Sequence, residues 1–162
     1  MVTRSFRSII RVAASVAVAV LCGGGCGAAA RPDAEREAPA VCDDTIRAAK
    51  EVPRELLDDG IERAVGESDI WFIAPDDATW GASVEPAGNG FYAKRPLWTS
   101  SDKPPSVTVT AVGTSAKGEA TLSPTSEGLP GPLPMGVRFP SRGCWKITAT
   151  SEKGRAEIIV KI

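Results

Sequence analysis

The chain has 162 residues, with 19 Lys and Arg against 20 Asp and Glu, four cysteines and no histidine. So even a charge balance excludes a surface built for nucleic acid or for polybasic attachment to a membrane. The missing histidine removes the commonest general base and the Ser-His and Cys-His nucleophile pairs. With no C-x-x-C pair present, it also argues against zinc.

Residues 1–11 carry Arg4, Arg7 and Arg11 and no acid. Residues 12–21 are Ala/Val-rich, and small residues follow to Ala30. A basic start, a short apolar run and a small-residue end make a bacterial secretory signal, and no twin-arginine pair is present. Three readings of its end stay open. A lipoprotein peptidase cutting before Cys26, which follows Gly23, Gly24 and Gly25, leaves that cysteine to be diacylated. Cys22 fits worse, with bulky Leu21 before it. An ordinary signal peptidase cutting after Ala30 discards both cysteines and releases the protein. Retention of residues 12–30 gives an anchor of about minimal spanning length. The expectation adopted is a lipoprotein signal over residues 1–26, with Cys26 the lipidated residue.

Residues 27–41 include "RPDAEREAPA", which is charged, punctuated by proline and without a large apolar side chain. Such a stretch cannot bury enough surface to fold, and it is expected to act as a disordered tether. Loss of the three early arginines leaves 16 basic against 20 acidic residues in the remaining chain. That remainder has the length of one modest domain.

Residues 42–68 are expected to hold one or two short helical turns. Asp43 or Asp44 can cap a turn, and Leu57, Ile61 and Val65 recur at helical spacing, but Pro53 and Gly60 interrupt any long helix. From residue 69 the pattern changes to strands. "DIWFIAP" is aromatic and β-branched, and "NGFYAKRPLW" follows a Gly-Asn-Gly turn signal. "SVTVTAVG" alternates strictly, and "KGEATLS" is a weaker candidate. "SEGLPGPLPMG" reads as Pro/Gly-rich loop. "MGVRFP", "CWKITAT" and "RAEIIVKI" complete the chain. In the last two, Trp145, Ile147 and Ala149 share a face, as do Ala156, Ile158, Val160 and Ile162. Gly154 ends the connecting loop, where a positive φ is available to glycine. Short strands separated by turn signals predict an all-β, Ig-like antiparallel β-sandwich over residues 69–162, with a short helical N-terminal extension.

Two cysteines remain in the domain under either cleavage, Cys42 and Cys144. In an oxidising compartment an even pair reads as a disulfide. By strand alternation Cys144 lies on the face opposite Trp145, so the bond is expected outside the core unless a β-bulge at Gly143 turns Cys144 inward.

"MGVRFPSRGCWKITATSEKGRAEIIVKI" resembles the C-terminal end of a family of Gram-positive bacterial exported proteins and lipoproteins of unknown function. These end in a motif like F-P-[TS]-x-G-C-W-[EK]-[VI]-T, matched here by Phe139, Pro140, Ser141, Gly143, Cys144, Trp145, Lys146, Ile147 and Thr148. "IWFIAP" looks like the family's first strand and "AKRPLW" like its Lys-containing aromatic strand. Cys42 stands where many members carry an early cysteine. The helical-looking insert before Ile70 departs from the family. The resemblance implies an Ig-like sandwich and often a lipid anchor, and it implies no activity.

Few residues suggest chemistry. The pairs Asp43-Asp44, Asp58-Asp59 and Asp76-Asp77 are adjacent, so on a strand they face opposite ways, and turns favour Asp. No EF-hand spacing accompanies Asp76, and no nucleophile-elbow block occurs. Trp145 reads as core. Trp80 and Trp98 lack a clean pattern and are the candidate ligand-contact aromatics. The expectation is a surface-tethered, non-catalytic binding or accessory lipoprotein on the extracytoplasmic face of the membrane. Its partners would be the bilayer, through the lipid, and an envelope protein or polymer; no cofactor or metal is expected. The alternatives are a secreted inhibitor or envelope-polymer-binding domain presenting "SEGLPGPLP", and a carboxylate-dependent hydrolase.

Overall fold

The computed structural model describes residues 42–76, 79–81, 83–123 and 128–162. The signal, Cys26 and the tether all lie outside these residues. Eleven strands and one helix are formed among the described residues: α1 (Arg54–Asp58), β1 (Ala64–Glu67), β2 (Ile70–Ile73), β3 (Val84–Ala87), β4 (Gly90–Lys94), β5 (Leu97–Thr99), β6 (Ser106–Ala111), β7 (Glu119–Leu122), β8 (Gly131–Leu133), β9 (Met135–Phe139), β10 (Cys144–Thr150) and β11 (Arg155–Lys161). All strand pairs are antiparallel. They make sheets of order β1-β2-β5-β8, β11-β10-β6 and β3-β4-β9-β7. The predicted all-β sandwich is the fold observed.

Alternation builds the core. Ile70 and Phe72 of β2, Leu97 of β5 and Leu133 of β8 point inward from the first sheet. They meet Val109 of β6, Trp145, Ile147 and Ala149 of β10, and Ala156, Ile158 and Val160 of β11. Ala93, Met135, Val137 and Phe139 complete the cluster from the third sheet. The expected faces of β6, β10 and β11 are those seen.

Two of the sheets are joined by a corner. β4 and β5 form one run of chain, as do β8 and β9, and the two runs pair throughout. Lys94 stands opposite Gly136 and Leu97 opposite Leu133, and between them the Arg95 amide donates to the Met135 carbonyl at 2.9 Å. Pro96 and Pro134 sit at the bend. Proline brings no N–H, so the turn from one sheet into the other orphans no donor there. Each proline's carbonyl is taken by a neighbouring amide, Pro96 by Ile73 at 3.0 Å and Pro134 by Ser123 at 2.9 Å. Strands that change sheet through a bend are a known way to close a sandwich corner.

The segment expected to be helical is corrected in extent. Its helix is five residues long and stops at Gly60, whose φ of 75° suits glycine. The Ile61 amide donates to the Leu56 carbonyl at 2.8 Å and the Gly60 amide to the Leu57 carbonyl at 3.0 Å, which is a Schellman ending. Leu57 is 49% exposed, and Val65, which shares its heptad-like spacing, belongs to β1. The sandwich therefore begins at Ala64 rather than at residue 69. Leu56 and Ile61 pack on Ala64, Trp71 and Trp98, forming a second apolar cluster. The outer side of β2 and β5 is thus roofed by the N-terminal segment.

The described part of the Pro/Gly-rich stretch, residues 128–136, contains strand as well as loop. Residues 131–133 pair with β5 as strand β8, and Gly131 and Leu133 are buried.

Candidate functional site

Each tryptophan is a packing residue. Trp80 is 3% exposed and meets Phe72 edge-on, with ring centroids 6.3 Å apart. Trp98 is 5% exposed, and its indole N–H donates to Asp59 Oδ2 at 2.6 Å. The two aromatics expected to contact a ligand are therefore turned to the interior. For Trp98 the reason is the roof laid over it by Leu56 and Ile61.

The G-C-W block is a structural corner between β9 and β10. Phe139 and Trp145 lie with ring centroids 5.7 Å apart, and the Trp145 indole donates to the Ser141 carbonyl at 3.0 Å. Gly143 has φ 137°, a conformation side chains rarely adopt, and it exchanges both backbone hydrogen bonds with Ile162. Cys42 and Cys144 bring their sulfurs to 2.00 Å, with Cα atoms 5.6 Å apart at a sequence separation of 102. Neither cysteine belongs to an apolar cluster, so the bond lies outside the core as expected.

The acidic residues disperse. The Asp43 carboxyl is held below the usual carboxylate range by hydrogen bonds from Thr45, with the Arg47 cation adding to them. Asp58 stands 4.0 Å from Arg54, and Asp59 serves Trp98. Asp77 lies outside the described residues. Among the described residues, no three Asp, Glu or Cys side chains converge in a way that could hold a metal ion, and no helix is long and apolar enough to cross a membrane.

Asp69 is buried and belongs to a latch the sequence did not announce. Its side chain accepts from Ser151 Oγ at 2.5 Å, and its carbonyl accepts from Thr99 Oγ1 at 2.8 Å. The Ser151 hydroxyl accepts in turn from the Gly154 amide at 2.9 Å. The turn between β1 and β2 is thereby tied to the β10–β11 hairpin.

Two features remain as candidate sites. One is an open cavity of about 240 Å³ where the β3–β4 turn, the start of β7 and the end of β9 meet. Phe91 and Phe139 border it, with Asn89, Lys117, Glu119 and Arg138 presenting polar groups. Register places Arg138 between Tyr92 on one side and Glu119 on the other. Its volume falls below the 300 Å³ at which small-molecule pockets begin. Two cations, a carboxylate and an amide thus line it beside two aromatic rings. The second feature is Arg95, which is 1% exposed at the sheet corner. Burial alone pulls its guanidinium down to about 10. Strand alternation carries the signal for it, since Arg95 follows Phe91 and Ala93 on the inward-facing side.

The fold and these sites define a class: an all-β sandwich with a disulfide between Cys42, ahead of α1, and Cys144 of β10. Comparison of the chain with protein-family models, curated proteins and solved structures finds no match in any of the three.

Proposed function

We propose that this chain is a non-catalytic binding or accessory module, held on the extracytoplasmic face of a bacterial membrane by a diacylated Cys26. The same proposal includes the Ig-like form of the sandwich and kinship with the exported Gram-positive family whose ending residues 139–148 resemble. The observation that carries it is the Cys42–Cys144 pair at bonding distance, because such crosslinks persist outside the reducing cytosol. The basic, apolar and small-residue succession over residues 1–30 supports the same address. A diacylated cysteine brings two chains, which is enough for stable anchoring. The cavity beside Arg138 and Lys117 is the surface offered to a partner, and its open form favours an envelope polymer or protein.

Presentation of "SEGLPGPLP" as an inhibitory loop has less support, because residues 131–133 are paired within the first sheet. No observation favours a hydrolase. The test is the intact mass of native protein extracted from membranes. The expected product begins at Cys26, carries a diacylglyceryl group and weighs two hydrogens less than its reduced form. An unprocessed chain with free thiols, recovered from cytosol, refutes the proposal.

A further inference from the structure

We propose that the Nε–Nη2 edge of Arg95 is a binding site for a small oxyanion, carboxylate or phosphate. Arg95 lies opposite Met135, where the paired chain passes from one sheet to another. Its Nη1 donates to the Lys94 carbonyl at 2.5 Å and to Ser83 Oγ at 3.2 Å. Among the described residues, its buried Nε and Nη2 have no hydrogen-bond partner and no carboxylate forms an ion pair with it.

The two idle donors are not an arbitrary pair. Nε and Nη2 share one edge of the planar guanidinium, the fork that meets both oxygens of a carboxylate or two of a phosphate. Nη1, bonded on the other side, holds that fork in one orientation. A buried cation with no counter-charge is strongly disfavoured, so an anion in the fork would relieve the least satisfied group of the fold. The proposal does not depend on lipidation or on the cavity at Arg138.

The experiment follows thermal unfolding of the purified native protein in acetate or phosphate, against chloride at equal ionic strength. The expected result is a rise in melting temperature that sets in near the anion's dissociation constant and then grows by about 4 °C for each further tenfold of anion. Response to acetate alone assigns a carboxylate, and response to phosphate alone assigns a phosphate. Arg95→Met abolishes the response, and Arg95→Lys, which keeps charge without a fork, weakens it at least tenfold. Should Arg95→Met not fold, the nitrogen resonance of Arg95 Nε in the unaltered protein reports the same binding as a saturable shift. Indifference of both melting and resonance to either anion overturns the proposal.

Discussion

At Gly154 a methyl group would stand 2.7 Å from the Glu67 carbonyl oxygen and 3.0 Å from Ser68 Cβ. The sequence suggests that this glycine supplies a positive φ to the hairpin, but its φ is not positive. The glycine is required because the hairpin tip lies against the β1–β2 turn, and the latch through Ser151 and Asp69 holds it there. Gly154→Ala is expected to lower stability by about 1–3 kcal/mol, as overpacking against backbone does. Lys153→Ala, one residue away on the exposed side, is expected to change it by about 0.5 kcal/mol or less. Urea unfolding of the two variants checks this, and equal midpoints for both would remove the contact from the account. The Trp98–Asp59 bond belongs to the same scale. Trp98→Phe keeps most of the ring but leaves a carboxylate without its donor, and a loss of about 1.5–3 kcal/mol is expected in the same assay.

Legibility differs from element to element for physical reasons. β6, β10 and β11 have one buried and one wetter face, so period-two alternation displays them in the sequence. β3 and β8 contain Pro86 and Pro132, which removes the strand signature. Both lie at sheet edges, where proline's missing N–H is tolerated. β1 reads "AVGE", too small and mixed to stand out. Leu57, Ile61 and Val65 imitate a helical stripe, yet only Leu56 of α1 is buried. Of the candidate sites, Trp80 and Trp98 were legible as aromatics but not as core, because their cover comes from segments distant in sequence. The role of α1 follows from the same cover. Leu56→Ala is expected to cost about 2–5 kcal/mol by opening a cavity over Trp71 and Trp98, whereas Leu57→Ala should fall within about 0.5 kcal/mol of the parent. Denaturant midpoints together with Trp fluorescence distinguish the two, and comparable effects would show that α1 does not roof the sheet.

Across the whole molecule, the Cys42–Cys144 crosslink joins the first described residue to the strand before last. Replacing both cysteines by serine is expected to remove about 2–5 kcal/mol of stability, with a matching drop in melting temperature when the parent is treated with reductant. A parent indifferent to reductant would show that the sulfurs contribute nothing to the folded state. The bond also sets the path of mechanical load. A pull applied at residue 42 passes through the sulfurs directly to Cys144, and everything from α1 to β9 hangs as a slack loop outside the strained circuit. Stretched between residues 42 and 162, the oxidised molecule can lengthen by only about 60 Å, the reach of residues 145–162. The reduced molecule pays out about 400 Å.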